Sequence, residues 1–150
     1  MPITNIFEYK NTQNSVDTID QTPQNIRDVL DELSNLTYLD DNWDSYGASS
    51  PSKQALLGSA HIAYEVLRND TPTPDVFPVP NGNIQFEWSC FNLDIEIEIE
   101  SQGKCHVCFE DLDSGDNWEK TFTFDLTELS SVISDLTQRS QNEQRVRMVN

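Results

Sequence analysis

The sequence predicts an α+β fold: two N-terminal helices, a four-stranded antiparallel β-meander and a C-terminal helix, with the helices packed on one face of the sheet. Three observations carry this reading. Apolar residues recur at helical spacing between residues 22 and 67. They switch to two-residue alternation between 84 and 124, and helical spacing returns after 125.

Residues 1–21 are polar and rich in Asn, Gln and Thr, and read as a flexible N-terminal arm. The first helix is expected to start at Thr22-Pro23, with Thr as the cap and Pro in the first helical position. Ile26, Val29, Leu30, Leu33 and Leu36 then form one buried stripe. A loop from Asp40 to Ser49 follows. Ser50-Pro51 repeats the start signal, and Ala55, Leu56, Ala60, Ile62, Ala63, Val66 and Leu67 mark the second helix. Asn69-Asp70 ends it, and Pro72 and Pro74 bar its continuation.

Pro72 to Pro80 reads as an extended linker, and Asn81-Gly82 as a turn. The four strands are Ile84 to Cys90, Leu93 to Glu100, Lys104 to Glu110 and Asn117 to Phe124, separated by short turns that favour a meander. Asp125 or Thr127 caps the last helix, whose apolar face is Leu126, Leu129, Val132, Ile133 and Leu136. Residues 22–137 thus form one domain, and 138–150 a polar C-terminal tail. The inner sheet face is expected to carry Ile84, Phe86, Trp88, Leu93, Ile95, Ile97, Ile99, Val107, Phe109, Phe122 and Phe124. A face that apolar must be covered by the helices.

The composition narrows function. Nine Lys and Arg face 26 Asp and Glu, a net charge of −17 in 150 residues. The acids are interleaved with Trp, Phe, Ile and Tyr, so they belong to a folded surface and not to a disordered acidic tail. Such a surface repels nucleic-acid phosphate and anionic lipid and attracts basic protein surfaces or cations. The expected partner is therefore a basic protein, with no direct nucleic acid and no membrane. No window approaches about 18 continuous apolar residues. The opening Met1-Pro2-Ile3-Thr4 lacks a basic stretch followed by an apolar run. Three cysteines, an odd count, fit a reducing cytoplasm.

The outer sheet face is the most informative feature. If Ile95, Ile97 and Ile99 point inward, Asp94, Glu96, Glu98 and Glu100 point outward, joined by Glu87, Glu110 and Glu119 from neighbouring strands. Between Ile84 and Asp125 there are 11 acidic residues and two basic ones, Lys104 and Lys120. Carboxylates two positions apart on a strand lie roughly 6.6 Å apart and repel. One reading is a solvated face whose charge prevents sheet-to-sheet aggregation. The other is a docking surface for a basic partner, such as a nucleic-acid groove, in which a row of carboxylates stands in for phosphates. Ca²⁺ or Mg²⁺ binding is a weaker reading, since those ions need convergent oxygens.

The loop Asn42-Trp43-Asp44-Ser45-Tyr46-Gly47-Ala48 is a second candidate. Trp43 and Tyr46 are expected to pin the loop onto the sheet, with Gly47 at positive φ and Asp44 accepting backbone N–H groups. Alternatively, Trp43, Asp44 and Tyr46 form an exposed patch that recognises a partner.

The order of this loop, the Ser-Pro helix start, Val76-Phe77-Pro78-Val79-Pro80, then Asn81 to Trp88 and an acid-alternating strand, resembles a group of small uncharacterised bacterial and phage proteins. The resemblance spans about Leu33 to Glu119 and carries no activity with it. Relatives often have Gly-Gly where this chain has Gly82-Asn83, a departure that bears only on the turn. Small acidic proteins of this type suggest inhibitors, antitoxins or anti-defence factors.

Enzyme signatures are missing. Cys105-His106-Val107-Cys108 resembles a metal or redox motif, but on a strand Cys105 and Cys108 point to opposite faces and cannot share an ion, so the thiols read as core and no metal or other cofactor is expected. His61 lies in the second helix as a boundary residue. No glycine-rich phosphate loop or nucleophile elbow occurs. The chain is accordingly expected to be a non-enzymatic binding protein. The competing readings are an accessory subunit of an assembly, docking through the arm or the Trp43 loop, and a small metal-dependent hydrolase.

Overall fold

The computed structural model describes residues 21–149. The expected arm at residues 1–21 falls almost wholly outside them. The described chain runs α1 (Gln24–Leu36), α2 (Lys53–Val66), β1 (Asp75–Pro78), β2 (Ile84–Cys90), β3 (Leu93–Ser101), β4 (Lys104–Asp111), β5 (Asn117–Thr123) and α3 (Thr127–Val149). The sheet is an antiparallel meander in the order β1-β2-β3-β4-β5. All three helices pack their apolar stripes on one of its faces, and α2 lies over its centre.

The sheet has five strands, not four. Pro72 to Pro80, expected as an extended linker, contains β1, which pairs with β2 from Asp75↔Glu87 to Pro78↔Ile84. Four residues that follow Pro74 and end in Pro78 give too short an alternation to read, and only the pairing separates such a strand from a linker. Pro78 lacks an N–H, and a strand at the sheet edge tolerates that. The β1–β2 turn is closed by Val79 N–H to Asn83 O at 2.9 Å and Gly82 N–H to Val79 O at 2.9 Å, with Gly82 at φ +93°.

Inner-face alternation builds the core. Ile84, Phe86 and Trp88 on β2 lie opposite Ile99, Ile97 and Ile95 on β3, and these face Cys105, Val107 and Phe109 on β4. Val29, Leu33, Leu56, Ile62, Leu129, Ile133 and Leu136 from the helices cover them. Phe109 stacks on Trp118 of β5 with ring centroids 5.1 Å apart. Phe124 is the exception among the expected inner residues. β5 ends at Thr123, and Phe124 takes a positive φ of 62° and is 88% exposed. Its ring lies against Gly103 in the β3–β4 turn.

Helix starts are shifted from the expected positions. Pro23 itself is the N-cap residue of α1 and makes no side-chain cap hydrogen bond, while Asn25 Oδ1 accepts from Ile26 N–H at 2.8 Å within the first turn. Ser52, not Ser50, caps α2, its Oγ accepting from Ala55 N–H at 3.0 Å. α2 closes at Val66, before Asn69-Asp70. The Asp125 carboxylate accepts from Thr127 N–H at the start of α3, as expected of a cap in that pair. α3 then continues past Thr137 as one helix to Val149, and Thr137 and Ser140 are buried. The residues read as a polar tail are thus helical as far as Val149.

A buried polar suture holds the α2–β1 connection in place. Asn25 Nδ2 donates to the carbonyls of Arg68 at 2.7 Å and Thr71 at 2.9 Å. The hydroxyls of Thr71 and Thr137 lie 2.7 Å apart, and Trp88 Nε1 donates to Pro72 O at 2.7 Å. The 68–72 segment is thereby bound to α1, α3 and β2 together.

Candidate functional site

The strands bring the acids onto one face by register. Glu87 lies directly opposite Glu96, Ser89 opposite Asp94, and Asp94 in turn opposite Glu110. Glu98 sits between Gln85 and His106, and Glu96 between Glu87 and Cys108. Glu119 faces Cys108 from β5, and Asp75 faces Glu87 from β1. With Glu100, this makes a field of carboxylates across all five strands. Lys104 is its basic partner among the described residues, 3.2 Å from Glu100. Glu96, Glu100, Glu110 and Glu119 are exposed, whereas Glu87, Asp94 and Glu98 are half-buried by their neighbours. A shallow concavity runs along Glu87, Asp94, Glu96, Glu110 and Glu119.

The loop residues do not join this field. The loop is anchored at the β1–β2 turn, through Ser49 N–H to Pro80 O and Ser52 N–H to Gly82 O, each 2.8 Å. Asp44 Oδ1 accepts from Tyr46 N–H at 2.8 Å and Ala48 N–H at 3.1 Å, and Gly47 has φ +86°. Trp43 is half-buried, with Nε1 donating to Ser49 O at 2.9 Å. Tyr46 does not pin the loop: it is 93% exposed. Asn42 takes over, accepting from Gly47 N–H at 2.7 Å and donating its own N–H to Ala48 O at 2.6 Å.

The cysteines divide as strand alternation requires. Cys105 is buried in the core, and burial pushes its thiol up to about 11. Cys108 is not a core thiol: it emerges on the carboxylate face, and Cys90 is half-buried. The Cys108 thiol is raised by burial first, and then by Glu119, Glu96 and Glu98.

Beside Cys108 the register places His106, two residues along the same strand, and Glu119, directly across on β5. The donor atoms of His106, Cys108 and Glu119 lie within 4.8 Å of one another, and His106 Nε2 is 3.5 Å from Glu119 Oε2. On its other side, His106 Nδ1 is 3.1 Å from the Thr121 hydroxyl. Strand alternation separates Cys105 from Cys108 and does not by itself name what Cys108 meets on the outer face. The signal that finds this set is His-x-Cys on one strand facing Glu-x-Thr on the next.

Arg139 holds the far corner of the sheet. Its guanidinium is 2.6 Å from Asp111 and 3.3 Å from Asp113, and donates to Phe91 O at 3.1 Å. This hydrogen bonding holds the Asp111 carboxyl down at about 2.

These features define an α+β protein built on a five-stranded antiparallel sheet, one face apolar and helix-covered, the other acidic. No protein-family model matches the chain, and no curated protein or solved structure matches it. No helix among the described residues is long and apolar enough to cross a membrane.

Proposed function

We propose that this chain is a non-enzymatic binding protein that docks a basic protein surface, of the kind that holds nucleic acid, through the outer face of its sheet. An inhibitor, antitoxin or anti-defence protein acting in the cytoplasm fits this description. The observation that carries the reading is the direct Glu87–Glu96 pairing within the field formed by Asp94, Glu98, Glu110 and Glu119. Like charges placed opposite each other destabilise a sheet, so the arrangement works against folding. A partner bearing Lys and Arg would neutralise that repulsion on docking and gain association rate from the field. Strand side chains spaced on a rigid grid also fix the register of a partner, as a phosphate row does.

The test is affinity capture from host lysate with the tagged chain and with a Glu96→Lys/Glu98→Lys variant, in chelator, at low and high salt. The expected result is a basic nucleic-acid-handling protein retained at low salt, released at high salt and absent from the variant. Capture of the same protein by the folded double variant overturns the reading.

The exposed Tyr46, on a loop made rigid by Asp44 and Asn42, supports a second reading, an accessory subunit that docks through the Trp43 loop. Retention of the same partner by the Glu96→Lys/Glu98→Lys variant and its loss on Tyr46→Ala would favour it.

A further inference from the structure

We propose that His106, Cys108 and Glu119 form a binding site for a zinc-class divalent cation on the outer face, bridging β4 to the edge strand β5. Three independent features of the site point the same way.

The first is spacing. Tetrahedral zinc with Zn–N and Zn–O near 2.1 Å and Zn–S near 2.3 Å holds its ligand atoms about 3.4–3.6 Å apart. His106 Nε2 and Glu119 Oε2 are already 3.5 Å apart. All three donors fall within 4.8 Å, so closing the set takes about 1 Å of side-chain movement. The backbone need not move, because Cys108 and Glu119 are direct cross-strand partners and His106 is the next outward residue on β4.

The second is the orientation of the imidazole. The Thr121 hydroxyl, itself the cross-strand partner of His106, meets Nδ1 at 3.1 Å. With Nδ1–H donated to Thr121, the lone pair is on Nε2, the nitrogen that faces Glu119. Histidines that bind metals are oriented in this way by a partner on the second nitrogen.

The third is donor chemistry and charge. Imidazole nitrogen, thiolate sulfur and carboxylate oxygen together suit zinc and its neighbours, and do not suit calcium or magnesium, which take oxygen ligands. The thiol gives its proton to solvent on coordination. Thiolate and carboxylate then balance the ion's two charges. Glu96 and Glu98, paired across β3–β4 with Cys108 and His106, add an attractive field. Three protein ligands leave the fourth vertex facing solvent, since the His106 and Glu119 side chains are 42% and 71% exposed.

The consequence is a cross-strand staple on β5, which among the described residues is the edge strand of the five-stranded order. An ion that binds the native state raises its stability.

The experiment titrates the reduced, full-length protein with ZnCl₂ in saturating MgCl₂, by calorimetry, and with CoCl₂ as a spectroscopic probe. One tight equivalent of zinc is expected, with a higher melting temperature. Cobalt should give tetrahedral visible bands and a near-ultraviolet sulfur-to-cobalt charge-transfer band. Cys108→Ser should abolish that band, and Cys90→Ser should leave it. Thr121→Val should weaken zinc binding about 10- to 100-fold. Each variant is melted first without metal, and Glu119→Gln, an exposed change, replaces any variant that fails to fold. Equal zinc affinity in His106→Gln and wild type, or only weak uptake of several equivalents that magnesium displaces, would overturn the proposal. Because partner capture is done in chelator, the two readings fail separately.

Discussion

Arg139, in the stretch of chain that looks like a polar tail, places its guanidinium 2.6 Å from the carboxylate of Asp111 at the end of β4. The two are 28 residues apart, and the contact ties the middle of α3 to the sheet corner where Phe91 and Asp113 also meet it. A helix read as ending at Thr137 has no reason to reach that corner. A helix that runs on to Val149 does.

The pair makes stability depend on acid. Asp111 titrates at about 2 in the folded protein, below the ordinary carboxylate range near 3.9. Its contribution is therefore fully present above about pH 4 and is lost as pH falls through about 2. In urea unfolding followed by circular dichroism, Arg139→Gln should be less stable than wild type at neutral pH. The gap should close steadily between pH 4 and pH 2. A gap independent of pH would show that the Arg139 contact with Phe91 O, and not its pairing with Asp111, carries the effect.

Asn25 → Ala should destabilise the protein by about 1–3 kcal/mol, because it strips the carbonyls of Arg68 and Thr71 of a buried donor. Thermal melting measures this directly. Asn25 is buried one turn before Val29, and its Oδ1 also accepts from Ile26 N–H at 2.8 Å, so the loss combines that contact with the two carbonyls of the 68–72 segment.

Gly58 → Ala should be more damaging than a helix glycine-to-alanine change usually is. A β-carbon there would lie 2.6 Å from Ser101 O, with the backbone of the β3–β4 turn on the other side of the contact. Alanine ordinarily favours a helix by up to about 1 kcal/mol over glycine. Here overpacking of about 1–3 kcal/mol should outweigh that gain, giving a lower urea midpoint.

Glu96 → Lys should stabilise the isolated protein. It replaces a like-charge pair with Glu87 by an opposite-charge pair, worth about 0.2–1 kcal/mol. The gain should shrink as salt is added, since exposed charges are screened. Urea midpoints at two ionic strengths decide it. A loss of stability at low salt would mean that Glu96 makes favourable contacts on this face that outweigh its repulsion from Glu87.

The element types of the body are legible in the order of residues, because a period of 3.6 or of two is a local property of side chains facing one core. The helical stripe of α1 (Gln24–Leu36), the alternation of Leu93–Glu100 and the outward direction of Asp94, Glu96 and Glu98 all follow from it. Which residues become neighbours follows from the packing of distant segments. Asp75–Pro78 is a strand only because β2 offers it a ladder, and Phe124 is exposed only because β5 stops one residue earlier. Thr71 meets Thr137 across 66 residues, and Tyr46 is left in solvent because Asn42 and Asp44 close its loop without it. Cys108, His106 and Glu119 converge for the same reason. Alternation says which face each residue takes, but only the β4–β5 register sets Glu119 opposite Cys108 and Thr121 opposite His106. A one-residue slip in that register would turn every β5 side chain to the other face and dissolve the cluster without altering either strand's own pattern.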